Sequence, residues 1–207
     1  MNKKLFLFDF DGVLVDSLDV HVQAAKWSLE KIGQPIIQNK ADYLDLFDDN
    51  FYEAMLEKGV DLKKFFKAFS SSWRSAVDHY GDIKPFSFML PVLEDLSRIH
   101  NLGIISSSSV ETINKALAQK QYGSFFQVIL GSQSAFSKKI KIANAIDQFH
   151  VQSGNTYYIG DTVGDIKEGK QAGVITVAVT WGWHPRERLL AANPDFLIDT
   201  PEELLKL

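Results

Sequence analysis

Six short stretches of this chain are apolar almost from end to end: LFLF at 5–8, LGII at 102–105, QVIL at 127–130, TYYI at 156–159, VITVAV at 174–179 and DFLI at 195–198. A strand with one face in water alternates polar and apolar residues. Near-continuous runs therefore point to strands covered on both faces, as in a parallel sheet sandwiched between helices. The segments between the later runs supply those helices. Val92, Leu93, Leu96 and Ile99 share one helical face, as do Ile113, Ala116 and Leu117, and then Ile142, Ala145, Ile146 and Phe149. Strand and helix alternate from residue 84 onward, which predicts an α/β core with a doubly wound, Rossmann-like parallel sheet.

Residues 16–83 break that rhythm. They contain no convincing strand, and Val20, Ala24 and Trp27, then Leu44, Phe47, Phe51 and Met55, and later Phe65, Phe66, Phe69, Trp73 and Val77 recur at helical intervals. The expected organisation is a core of 1–15 and 84–207 with a small helical domain, 16–83, inserted after the first strand. Residues 14–17 and 81–85 are the two expected crossings and the natural hinge. A length of 207 residues suits one core with a modest insertion.

Composition removes several functions. Without cysteine there are no disulfides, thiolate metal sites or cysteine nucleophiles. Twenty-two Lys and Arg against 26 Asp and Glu, with no basic run, argue against nucleic acid or an anionic membrane as the main partner. No stretch approaches the roughly 18 apolar residues that span a bilayer. Asp9 and Asp11 interrupt the opening apolar run before a signal-peptide core can form. A soluble cytoplasmic protein, monomeric or weakly dimeric, is expected.

In open α/β sheets the ligand sits beyond the carboxyl ends of the strands. After the first run comes DFDGVLVDS, residues 9–17; after LGII come Ser106, Ser107, Ser108 and Ser109; after TYYI comes GDTVGD, residues 160–165. Asp9, Asp11, Asp161 and Asp165 are thus expected on one rim, delivered from two separate strands. Crowded carboxylates repel unless a cation holds them. An all-oxygen set suits a hard divalent ion, and Mg²⁺ is the one expected. A carboxylate beside such a metal is a competent nucleophile toward phosphorus, so a phosphate ester is a better substrate than a peptide or glycoside.

Ser106 ends an apolar strand, so its hydroxyl should reach the same rim. Ser108 and Glu111 have capping-box spacing, which predicts a helix start there. Lys138 and Lys139 begin the helix that carries Ile142 and Ile146, where a lysine could balance the carboxylates and hold a phosphoryl group. Lys138 is favoured because it precedes Ile142 by one helical turn.

Together these motifs resemble the haloacid dehalogenase-like hydrolase superfamily. DFDGVLVDS resembles its first motif, Ser106 its second, Lys138 its third and GDTVGD its fourth; the insertion is similar in placement to the helical cap of the phosphoglycolate phosphatase and β-phosphoglucomutase branch. The third motif departs from that branch, having Lys139 where proline is common, and the second has Ser107 where asparagine is common. The resemblance implies that Asp9 is the nucleophile that becomes an aspartyl-phosphate. It implies that Asp11 protonates the leaving oxygen, then activates water, and lends its backbone carbonyl to Mg²⁺. Ser106, joined by Ser107, would bind the phosphoryl oxygens, Lys138 would steady the charge, and Asp161 and Asp165 would hold the metal with Asp9, directly or through water.

Asp11 and the paired acids at 161 and 165 favour phosphate chemistry over dehalogenation. They also favour turnover over a receiver-like phospho-accepting module, which has no use for a residue that activates water. The tail from Trp181 resembles phosphoglycolate phosphatase-like members and favours hydrolysis over a β-phosphoglucomutase-like transfer. The expected partner is a small phosphorylated metabolite. Specificity is expected in the insertion, with His21, Lys26 and Trp27 as candidates, and His184 and Arg186 as further rim candidates.

Overall fold

The computed structural model describes residues 3–118 and 122–207. Strand β1 (Leu5–Phe8) and the short β2 (Val15–Asp16) are followed by helices α1 (Leu18–Lys31), α2 (Lys40–Leu44), α3 (Phe51–Glu57) and α4 (Leu62–Tyr80), then by the short β3 (Lys84–Pro85). The rest of the chain alternates: α5 (Met89–Ile99), β4 (Asn101–Ile105), α6 (Val110–Leu117), β5 (Val128–Leu130), α7 (Lys138–Phe149), β6 (Thr156–Gly160), α8 (Val163–Gln171), β7 (Ile175–Val179), α9 (Arg186–Ala191) and β8 (Phe196–Ile198).

Every one of the six apolar runs is a strand of a single parallel sheet, in the order β5-β4-β1-β6-β7-β8. All four residues of β1 are buried, as a strand with helices on both faces requires. Leu5 and Leu7 point to one face and pack with Ile105, Ile142, Ala145, Tyr158 and Val174. Phe6 points to the other and stacks on Tyr157, ring centres 4.9 Å apart. The α/β expectation therefore holds, but full burial does not extend to the edges: β5 is only partly buried and Phe196 of β8 is exposed, because an edge strand lacks a neighbour on one side.

One apolar face ends early. Met89, Val92, Leu93 and Leu96 of α5 are buried, but Ile99 is 61% exposed. It is the last helical residue, and the chain turns extended at His100 (φ −128°, ψ 167°), so the covered stripe stops one turn short.

By its internal contacts the chain divides into two units, Met1–Asp16 with Pro85–Leu207, and Ser17–Lys84. Within the second, α1 lies against α4 through Val20, Ala24 and Ala76, with Trp27, Phe69, Trp73 and Val77 around them. The Asp61 carboxylate accepts from the Lys64 N–H at the start of α4, and Gly81, at φ +88°, ends it. Trp27 belongs to this packing, the His21 ring meets Trp73 edge-on at 4.7 Å, and the Lys26 ammonium reaches the Gln38 carbonyl at 3.4 Å. Among the described residues no helix is long and apolar enough to cross a membrane.

Ile142→Ala should lower unfolding stability by about 2–5 kcal/mol in a urea titration. Ile99→Ala should stay within about 0.5 kcal/mol of the parent. Equal costs at the two positions would contradict this assignment of the core.

Candidate active site

From β1 the chain builds β4 and β5 on one side of the sheet, then crosses to β6, β7 and β8 on the other. The order reverses between β1 and β6, and a crevice opens at such a reversal beyond the strand ends. Asp9 is the first residue after β1, and its N–H donates to the Ile159 carbonyl of β6 at 2.8 Å. Asp161 is the first residue after β6. Pairing of these two strands therefore puts acids far apart in sequence side by side. Carboxylate oxygens of Asp9, Asp161 and Asp165 lie within 4.8 Å of one another, and all three residues are buried.

One cation reaches into this group. The Lys138 ammonium donates to Asp9 Oδ2 at 2.7 Å and to Asp165 Oδ1 at 2.6 Å. Burial alone would lower the lysine's pKa, but the carboxylates of Asp165 and Asp9 overrule it and hold it raised. Lys139, the neighbouring candidate, is exposed. Glu168 of α8 sets the start of α7: its Oε1 accepts from the Ser137 hydroxyl at 2.8 Å and from the N–H groups of Lys138 and Lys139 at 2.7 and 3.3 Å. A carboxylate there complements the positive end of the helix.

The three acids differ in how they are served. Asp165 has donors on both oxygens: Lys138 and the Tyr158 hydroxyl (2.8 Å) on Oδ1, and the Thr162 N–H (3.1 Å) and hydroxyl (2.7 Å) on Oδ2. Burial opposes its charge, yet Lys138, Thr162 and Tyr158 hold its pKa below the usual carboxylate value. Its bonds with Thr162 are also the reciprocal capping box that starts α8. Asp9 has Lys138 on one oxygen and the Phe10 N–H, at 2.8 Å, on the other. Burial, against Lys138 and with Asp165 and Asp11 nearby, pushes its pKa up to about 7. Asp161 accepts from the Trp183 N–H at 2.6 Å on Oδ2, while Oδ1 is buried with no hydrogen-bond partner among the described residues. Its pKa is raised well above the ordinary value, by burial first and then by Asp165 and Asp9.

These observations fit a bound hard cation. A buried carboxylate oxygen without a donor is rare. Among the described residues these three acids share one directly bonded ammonium and so lack positive charge, and their donor atoms are all oxygen. The backbone also leaves room around Asp161. A Cβ on Gly12, at φ +80°, would lie 2.1 Å from its Oδ2, and a Cβ on Gly182 would lie 2.3 Å from the same atom. Asp9, Asp161 and Asp165 could hold the ion, Asp165 less directly because both of its oxygens are engaged.

Asp11 is placed otherwise. Its Oδ2 accepts from the Ser108 hydroxyl at 2.7 Å and from the Ser106 hydroxyl at 3.5 Å, so its carboxylate lies outside the converged trio and only the expected backbone carbonyl remains for a metal. Ser108 therefore does not cap α6. Ser109 does, accepting from the Thr112 N–H at 3.1 Å, one residue later than the capping-box spacing predicts. Ser106 is fully buried and its Oγ accepts from the Ser108 N–H at 2.9 Å, while Ser107 is half-buried. His184, expected on the rim, is buried, with Nδ1 accepting from the Val163 N–H at 3.1 Å. Arg186 is exposed and pairs with Asp199 at 2.6 Å.

Sequence reasoning missed Glu168, Tyr158, Trp183 and Lys141. Lys141 had a readable signal, since it shares the face of α7 that carries Lys138, Ile142 and Ala145. Glu168, Tyr158 and Trp183 act across the fold and gave none.

The family model for haloacid dehalogenase-like hydrolases matches residues 6–179. A phosphoglycolate phosphatase of Synechococcus elongatus is 32% identical over 97% of this chain and 94% of its own length. The pyrophosphatase PpaX of Listeria monocytogenes is 24% identical over 97% and 94%. Among solved structures, a haloacid dehalogenase-like hydrolase from Streptococcus pneumoniae is similar at a TM-score of 0.77 and 25% identity, covering 99% of this chain and 97% of that one.

Asp9 has its pKa raised by folding, so the stability it lends is complete below about pH 4, its unfolded value, and is lost as pH rises through about 7. In EDTA, the melting temperature of Asp9→Asn relative to the parent should therefore rise between about pH 5 and pH 8; a difference that stays flat would contradict the shift. Gly12→Ala should melt lower than the parent, by the equivalent of about 1–3 kcal/mol, because of its backbone angle alone, and by more if Asp161 cannot move aside.

Proposed function

Because the chain belongs to the haloacid dehalogenase-like hydrolases, we propose that it is a Mg²⁺-dependent phosphatase that hydrolyses a small phosphomonoester, of the phosphoglycolate kind, through a phosphorylated Asp9. The observation that carries this reading is the convergence of Asp9, Asp161 and Asp165 around the Lys138 ammonium, with Asp11 held beside them by Ser106 and Ser108. The relatives named for phosphoglycolate and pyrophosphate hydrolysis agree with a phosphoryl group as the reacting centre.

In the first half of the reaction an oxygen of Asp9 attacks phosphorus. The ester P–O bond breaks, and the departing oxygen takes the proton of the Asp11 carboxyl. In the second, Asp11, now a carboxylate, takes a proton from water as that water attacks the acyl-phosphate. The bond from phosphorus to Asp9 breaks, inorganic phosphate leaves, and both acids return to their starting states. Ser106, Ser107 and Lys138 hold the phosphoryl oxygens throughout, and the serines that bond Asp11 Oδ2 keep its carboxyl aimed until a substrate arrives. Asp9, Asp161 and Asp165 would hold Mg²⁺, which supplies the charge that keeps the first two ionised and offsets the phosphoryl oxygens. The core, 1–15 and 84–207, carries this chemistry, and the insertion, 16–83, acts as a cap that selects the leaving group.

A screen of small phosphomonoesters with Mg²⁺ tests the proposal, with phosphoglycolate, pyrophosphate and glucose 1-phosphate included. Turnover should vanish in EDTA and in Asp9→Asn, and fall by about 10²–10⁴-fold in Asp11→Asn. Activity without metal, or an Asp9→Asn protein that still turns over, would refute the mechanism. Glucose 6-phosphate formed from glucose 1-phosphate would reassign the protein as a phosphotransferase.

A further inference from the structure

Lys141 has no part in the proposed mechanism, yet it is fully buried, on the face of α7 that carries Ile142 and Ala145 and one turn along from Lys138. Burial and the neighbouring Lys138 push its pKa down to about 8, while Asp9 and Glu168 pull it back up. An ammonium in such a place is costly, and an apolar side chain of similar size is often the more stabilising choice. Its ammonium donates a hydrogen bond to the main-chain carbonyl of Ser106.

That carbonyl belongs to the peptide joining Ser106 to Ser107. The Ser106 N–H is already tied to the Leu130 carbonyl of β5 at 3.0 Å, and the Ser106 Oγ accepts from the Ser108 N–H at 2.9 Å. A trans peptide is planar, with its C=O and N–H pointing in opposite directions. Drawing the Ser106 oxygen toward α7 therefore turns the Ser107 N–H away from α7 and fixes the plane of the whole unit.

We propose that Lys141 is a positioning residue: by holding the Ser106 carbonyl it sets the Ser106–Ser107 peptide so that the Ser107 N–H and the Ser106 hydroxyl are presented together to the phosphoryl oxygens. This rests on the phosphatase reading and gives Ser107 its role through the backbone. Hydroxyl and amide donors preorganised in this way contribute only if their direction is fixed before the phosphoryl group arrives.

The test compares Lys141→Met and Lys141→Arg with the parent for inorganic phosphate affinity in the presence of Mg²⁺, kcat, KM and melting temperature. Lys141→Met should bind phosphate about tenfold more weakly and lose about 10²-fold in kcat, the range seen when an oxyanion donor is removed. Its melting temperature should change little, since the loss of a buried ammonium offsets the Ser106 carbonyl left without its donor. Lys141→Arg, which keeps the charge and the donor, should retain phosphate affinity within about threefold. The inference is overturned if the Met protein binds phosphate and turns over like the parent, or if the Arg protein loses as much as the Met protein. Should Lys141→Met not fold, Lys141→Leu is held to the same thresholds. A parent that hydrolyses no phosphomonoester sinks the phosphatase reading, whereas an active parent matched by Lys141→Met sinks only the role given to Lys141.

Discussion

A single ammonium shared by two buried carboxylates governs the site. Lys138 cannot neutralise both Asp9 and Asp165, and the surroundings decide which acid keeps its charge. Asp165 has three further donors and stays ionised; Asp9 has one backbone N–H, and its pKa climbs to about 7. Asp161, with one oxygen unserved, is stranded further still. The imbalance is of one sign, and a metal cation is the natural remedy. Asp9, its pKa raised to about 7, is thereby a carboxylate whose charge depends on what stands beside it.

Sheet topology makes this imbalance possible. Asp9 and Asp161 meet because β1 and β6 are hydrogen-bonded neighbours at the reversal of strand order. Lys138 arrives from α7, whose first turn is held by Glu168 of α8, and Asp165 is fixed by the capping box that starts α8. The side chains at the centre are thus gripped by groups that also begin helices. Displacing one of them would disturb secondary structure as well as chemistry, which is how a site keeps like charges together without spreading apart.

Much of this is legible in the sequence because burial on both faces leaves an unbroken apolar signature, as LFLF and TYYI show, and the residues directly after such runs fall on one rim. The acids at 9, 11, 161 and 165 are readable in that way. Helix phase separates Lys138, one turn before Ile142, from the exposed Lys139. Phase alone also marks Lys141, but a lysine is ordinarily a surface residue and that expectation hides it. Ser108 and Ser109 differ by one position, finer than a capping pattern resolves, so the pattern assigns the cap to the very group that reaches Asp11. Glu168 cannot be found from its own neighbourhood, because its meaning lies 30 positions away at the Lys138 N–H. The turn of His184 inward toward Val163 likewise depends on contacts made only after folding.

The Phe86 N–H donates to the Leu14 carbonyl at 2.9 Å, so the strand that leaves the core and the strand that returns to it are already joined before residues 17–84 intervene. For the core, that long excursion is a closed loop, and the entropy of closing a loop grows only slowly with its length. The excursion can therefore lengthen, shorten or be exchanged for another helical module with little loss to the sheet. In a lineage built on this plan, the sheet and the helical insertion are free to evolve at different rates.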